Sequence, residues 1–352
     1  MDSNKTVITK ETKNKIRVDY EGKLSFKEKL IKKLKASTTW MKVVVNIFRF
    51  ILMLGVSYVI LYPFFTKIAG SFMTKEDIID PTVALIPKHF TLEIYKYVIV
   101  DNHYFEAALN TLILALLCAL IQTFISCVIG YGLAKFKFKG NTAVMLAVVF
   151  TMIVPHSTLK LALFEHFNEF DILTVVAWNY KGPIELIFGT APRLVDSFVP
   201  LIILSVFGLA FKNGLYIYLM RQFFKGVPDE LEESAYVDGS GVFRTFLQII
   251  LPLSVPMMIT IFLFSFSWQW SDDFYTNVFF TLNAGDEGMV YLMPDVAFTI
   301  PTSLQTTYAG QALYYNVIQN TAGMMVIAPL IIIYLFCQRY LVQGIERSGL
   351  VG

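Results

Sequence analysis

The sequence predicts an all-α polytopic membrane protein, with six transmembrane helices and a polar helix-turn-helix on the cytoplasmic side. Three observations carry that prediction. Of the 352 residues, 55% are hydrophobic and only 16% are charged, against roughly 25% charged in an ordinary soluble domain, and mean hydropathy is +0.58. So much apolar side chain cannot be hidden in one water-soluble core. Six apolar stretches approach the about 20 residues that cross a bilayer as helix. One stretch, DELEESAYVDGSGVFRTFLQIILPLSVP from Asp229 to Pro256, is too polar to enter lipid.

In chain order, residues 1–43 form a basic N-terminal tail with Lys-rich blocks such as FKEKLIKKLK. They hold no short apolar core followed by a small-residue cleavage site, which argues against a removed signal peptide. The transmembrane unit, 44–352, carries spans at about 44–67, 107–130, 142–164, 197–219, 257–279 and 321–341. Outer loops fall at about 68–106, 165–196 and 280–320, and the middle one mixes aromatics, charges and Gly-Pro in a way that suits short interfacial helices. With the N-terminus inside, twenty Lys and Arg lie on the inner side and seven on the outer, and the 280–320 loop has none. Both termini and the Asp229–Pro256 stretch are therefore expected in the cytoplasm. A net charge of +2 gives no reason to expect nucleic acid. Cys118, Cys127 and Cys337 sit in apolar runs without paired spacing, so they read as small hydrophobes and not as a disulfide or metal set.

Within the polar stretch, Pro228 suits the first turn of a helix, and Asp229, Glu230, Glu232 and Glu233 sit where the helix dipole favours negative charge. Asp238-Gly239 ends that helix, since glycine takes the left-handed conformation of a C-terminal cap. Ser240 can cap a second helix in which Val242, Phe243, Phe246, Leu247 and Ile250 recur as an apolar stripe. Pro252 and Pro256 are expected to close it before the fifth span. Residue physics alone leaves two readings open: a docking element, or a linker helix resting on the membrane with its acids solvated.

At Glu233-Ser234-Ala235, Asp238-Gly239 and Ile249-Ile250-Leu251-Pro252 the sequence resembles the EAA loop of permease subunits of binding-protein-dependent ABC importers. That pattern is E-A-A, a glycine four residues on, and a hydrophobic-x-L-P ending thirteen residues after the glycine; Ser234 replaces the first alanine, small for small. Other segments are similar to the carbohydrate branch, a maltose-permease-like second subunit: YPFFTKIAGSFMTKEDI, LNTLILALLCALIQTFISCVIGYGLAKFKFKGN, MRQFFKGVPDELEESA and QRYLVQGIERSGLVG. The resemblance covers about 44–352, with a longer region near 165–195. It implies a second permease subunit, two cytoplasmic ATPase subunits, an extracytoplasmic solute-binding protein and a carbohydrate substrate. It also implies that the loop fits a cleft on the ATPase, with Glu233 presenting charge, Ala235 allowing close approach, Gly239 permitting the turn, and Asp238, Leu251 and Pro252 in support.

No GxxxxGK[ST] loop is present, so ATP hydrolysis is expected in a separate protein and the chain is expected to be no enzyme. The four histidines are scattered, without HExxH, so neither metal nor cofactor is expected. Ionisable groups in spans often mark a pathway, and the fifth span carries SFSWQWSDDFYTN. At helical spacing Trp270, Asp273 and Asn277 share one face, and Trp268, Asp272 and Tyr275 share its neighbour; such a set either contacts a sugar or forms an interfacial belt packed on the partner subunit. Asn110, Gln122 and Asn320 are weaker candidates, because an amide in a span often bridges helices. Lys212-Asn213-Gly214 interrupts the fourth span, either as an unwound segment beside a cavity or as a tolerated kink with a snorkelling lysine. Rival readings are an importer of the same architecture for a polyamine or peptide, an ion-coupled secondary transporter, which gives the loop spacing no role, and a membrane anchor for a signalling complex.

Overall fold

The computed structural model describes residues 8–11, 17–20, 37–171, 182–282, 288–298 and 312–347. It divides into two compact units, Met1–Thr66 and Lys67–Gly352. In the first, β1 (Ile8–Glu11) pairs antiparallel with β2 (Arg17–Tyr20), Ile8 opposite Tyr20. This small hairpin lies in the N-terminal tail, outside the helical transport unit, and ITKE and RVDY supply the β-branched and aromatic residues that favour it. The long helix α1 (Ser37–Gly70) follows.

The second unit is helical. Its elements are α2 (Tyr104–Lys135), α3 (Asn141–Ile153), α4 (Lys160–Asn168), α5 (Val199–Val206), α6 (Asn213–Lys225), α7 (Glu230–Val237), α8 (Val242–Trp270), α9 (Asp273–Phe279), α10 (Met293–Phe298) and α11 (Ala312–Arg347). Among the described residues, α1, α2, α8 and α11 are long and apolar enough to cross a membrane, and the bent pair at 141–168 adds a fifth if it counts as one span.

Three spans differ from single straight helices. The third turns by 94° at Val154-Pro155, where the residue before proline is driven to extended backbone, ψ 122°. The fourth, expected over 197–219, is α5 and α6 separated by six residues that include left-handed Gly208 and Lys212. The fifth stops at Trp270 and restarts at Asp273 as α9. Conversely, Pro252 and Pro256 end nothing: α8 runs through both. Its π-helical turn at Phe246–Ile250 widens the backbone just ahead of Pro252 and accommodates its missing N–H. In the middle outer loop Pro183–Phe188 is a short helix; 172–181 lie outside the described residues, as do most of 1–36, 299–311 and the last five positions.

The bundle is organised around α2, which packs most extensively on α6 and α8. Gly130 permits this: a Cβ there would lie 2.6 Å from Met220 Cβ, so the two backbones nearly touch. One apolar cluster joins Tyr131, Met220, Phe224, Ile250 and Met257 near the acidic loop, and others fill the remainder around Leu114, Leu201 and Phe279 and around Ala119, Phe266 and Trp270. Between them the buried Gln122 amide donates to Ser205 Oγ (3.2 Å) and accepts from Ser265 Oγ (2.9 Å), clasping α2, α5 and α8.

Candidate functional site

The acidic stretch folds as two short arms around a tight turn. α7 starts two residues after Pro228, at Glu230, with acids throughout its first turn. It ends in a reciprocal cap: Gly239, at φ 82°, donates to Tyr236 O (3.0 Å) and Ser240 donates to Ala235 O (2.9 Å). These are the two bonds of a Schellman turn, which needs a residue in the left-handed region, where glycine pays no Cβ penalty. Ser240 is not the N-cap of the second arm; Gly241 is, and the Ser240 hydroxyl pairs with Thr245 Oγ1 (3.1 Å).

The sequence-chosen residues divide by exposure. Ala235 is buried in the seam between the arms, while Glu233, Ser234, Asp238 and Gly239 are exposed, and no atom lies within 4 Å of a Cβ added at Gly239. Leu251 is half-buried and Pro252 exposed where the π-turn gives way to regular helix. Of the apolar stripe, Phe246 and Ile250 face the bundle, whereas Phe243 is 74% exposed beside Val237 at 87%. The tip therefore offers acid and apolar side chains together.

Sequence reasoning missed what fastens the loop. Lys135, the last residue of α2, donates to the Val227 carbonyl (2.6 Å) and pairs with the Asp229 carboxylate, with Glu232 Oε1 at 3.8 Å. Tyr131, one turn earlier, donates to Glu232 Oε2 (3.4 Å). The Lys135 hydrogen bond and charge hold the Asp229 carboxyl below its usual range. The available signal was a lysine and a tyrosine four apart at the C-terminal end of α2.

The fifth-span candidates separate because the helix breaks at Ser271. Trp270 is buried and gives its ring N–H to Val326 O (2.9 Å) of α11. Asp272 caps α9, accepting from Tyr275 N (3.3 Å), and Asp273 accepts from Asn277 Nδ2 (2.7 Å) on the exposed side. Asn110 donates to Tyr291 O (3.1 Å), Gln122 forms the clasp above, and Asn320 is half-buried in α11. Trp268 and Tyr275 instead meet at the two helix breaks. Phe211 lies 5.4 Å from Trp268 and 4.7 Å from the His156 ring, and Tyr275 OH lies 3.5 Å from His156 Nδ1. There a cavity of about 290 Å³ opens between the Thr151–His156 bend and the 208–215 break. A break beside a cavity is observed, but it lies at 207–212: Lys212 is its left-handed last residue, while Asn213 and Gly214 already open α6. Among the described residues no cluster of three His, Cys, Asp or Glu could hold a metal.

Residues 122–347, which include the loop, Lys135 and both breaks, match the model of the binding-protein-dependent transport system inner membrane component. Over 310 residues the chain is 26% identical to the polygalacturonan/rhamnogalacturonan transport system permease protein YtcP of Bacillus subtilis, covering 87% of this chain and 97% of that one. It is also 26% identical to the probable starch degradation products transport system permease protein AmyC of Thermoanaerobacterium thermosulfurigenes, covering 80% and 89%. The fold is shared, at a TM-score of 0.60 and 21% identity, with a chain from a crystal structure of a bacterial ABC transporter involved in the import of the acidic polysaccharide alginate, covering 87% of this chain and 98% of that one. The chain belongs to the family of binding-protein-dependent transport system inner membrane components, and is a membrane permease component and not an enzyme.

Proposed function

We propose that this permease component imports a sugar or oligosaccharide by alternating access, paired with a second permease subunit and driven by two cytoplasmic ATPase subunits that seat on the loop at Glu233–Gly239. A solute-binding protein delivers the cargo on the outer face, both termini lie inside, and 1–43 form a tail separate from the 44–352 transport unit. The observation that carries the reading is the exposed tip of α7. It combines an acid at Glu233, a left-handed glycine with open space over it and apolar Val237, with Phe243 exposed on the second arm, and the first arm is fastened to span two by Lys135. The relatives named for polygalacturonan, starch products and alginate support a carbohydrate cargo.

The test is ATP-dependent uptake by the reconstituted complex carrying E233K or a bulky residue at Gly239. The expected result is a chain that inserts normally but transports poorly. Unimpaired uptake with intact ATPase association in both variants overturns the docking role, and sugar uptake that persists without any ATPase overturns the ATP-driven reading.

A further inference from the structure

We propose that the double helix break is a binding site, within this subunit, for the carboxylate-bearing ring of an acidic sugar, with Lys212 as its cation. The inference rests on the import reading above and names the substrate class.

Lys212 occupies the left-handed region at φ 63°, one of three non-glycine residues to do so among those described. A strained backbone persists only where its surroundings hold it, and such positions concentrate at ligand sites. Its ammonium lies 4.8 Å from the Phe211 ring centroid and 5.3 Å from that of Trp268. It makes no ion pair with any described residue; on the fifth span Asp272 caps α9 through one carboxylate oxygen while the other is buried without a hydrogen-bond partner, and Asp273 accepts from Asn277. A lysine within a stretch expected to span the membrane is costly and marks a pathway unless a partner neutralises it. Here the partner is missing while the space for one is present.

That space is the 290 Å³ cavity, which Lys212 lines together with Asn213, His156 and Thr151. Asn213, fully buried at the start of α6, has neither amide oxygen nor amide nitrogen hydrogen-bonded. A buried amide with both ends unmatched calls for a ligand or water that supplies a donor and an acceptor together. A sugar hydroxyl is both. The volume is near the lower end of the roughly 300–1,000 Å³ of small-molecule sites, so it suits one ring of a chain. Phe211 and Trp268 lie behind Lys212, under its ammonium, and hold the cation at the cavity wall, where it recognises the carboxylate as a point charge.

The test uses the full complex, with ATPases, partner permease and binding protein, and three probes: trigalacturonate, its carboxyl-reduced neutral trisaccharide, and glucose 6-phosphate. Binding to the detergent-solubilised complex is measured alongside ATP-driven uptake into proteoliposomes. Trigalacturonate is expected to bind at least about tenfold more tightly than the neutral trisaccharide, the worth of one charge-assisted contact. K212N, whose asparagine tolerates the left-handed backbone, is expected to abolish that preference, while K212R retains it. Equal binding of acidic and neutral trisaccharides, or a preference unchanged in K212N, overturns the site. Tight binding of glucose 6-phosphate without trigalacturonate overturns the carboxylate assignment. Should K212N fail to assemble, K212G, which keeps the left-handed backbone, supplies the same comparison. ATP-driven uptake of the neutral sugar with no acidic preference refutes this inference and leaves the import reading standing; absence of all sugar uptake refutes both.

Discussion

Lys135 closes the last turn of α2 onto Asp229, ninety-four positions later in the chain, and reaches the Val227 carbonyl with the same ammonium. Its side chain is 7% exposed while that of Asp229 is 77% exposed, so the cation is the buried member and organises the acids around it. Exposed ion pairs contribute little to stability. This one matters for Glu232, whose buried Oε1 otherwise has no hydrogen-bond partner.

Replacing Lys135 with Gln should therefore cost more than an ordinary surface change, about 1–3 kcal/mol, because a buried carboxylate oxygen loses its neighbouring charge. The purified K135Q chain should melt at lower temperature, and K135Q/E232Q should regain much of the loss. ATP-driven uptake should fall further than ATPase association, since the arm remains but its fastening is gone.

The same pair fixes a pH dependence. Asp229 is held below its ordinary value near 3.8 in the folded chain, so it takes up a proton less readily than in the unfolded chain. Its stabilising contribution is complete above 3.8 and is lost as pH falls through the lower folded value. Thermal unfolding from about pH 8 to about pH 5 should show a constant gap between K135Q and the unaltered chain from this group. The gap should narrow only on further acidification.

At Gly239 the backbone, not the space, is limiting: φ is 82° and a Cβ meets nothing within 4 Å. Valine there should cost about 1–2 kcal/mol in the turn, and asparagine distinctly less. Loss of ATPase association in G239V with retention in G239N would identify turn conformation as the requirement. Equal loss in both would locate it in the partner's approach.

For the clasp inside the bundle, Q122L removes two side-chain bonds at once, yet Ser205 still donates to Leu201 O at 2.7 Å. The expected cost is about 0.6–1.7 kcal/mol, the range for hydrogen bonds between membrane helices. It is read as a lowered unfolding midpoint in micelles.

Helix content and the loop were legible because each has a local cause. Composition announces burial in lipid, the acids announce a helix start, and Asp238-Gly239 announces the turn that the two capping bonds then display. The breaks were only half legible. Lys212-Asn213-Gly214 is visible as an interruption, but Val154-Pro155 lies unmarked inside the third expected span, and that the two breaks face each other across a cavity depends on how α3 packs on α6. Lys135 was illegible as a fastener, since its partners lie about ninety residues away. Pro252 misled in the other direction: a proline stops a helix by the bond it lacks, and a single wide turn upstream removes the need for that bond.

That wide turn has a mechanical consequence. Because α8 is unbroken from Val242 to Trp270, 29 residues, the second arm of the loop and the fifth span form one rod about 43 Å long at 1.5 Å per residue. A swing of one degree about its loop end displaces the far end by about 0.7 Å, and Trp268 is carried there, against Phe211 and Lys212. Force applied at the acidic tip therefore has a continuous helical route to Trp268 and, through it, to Lys212 at the cavity wall.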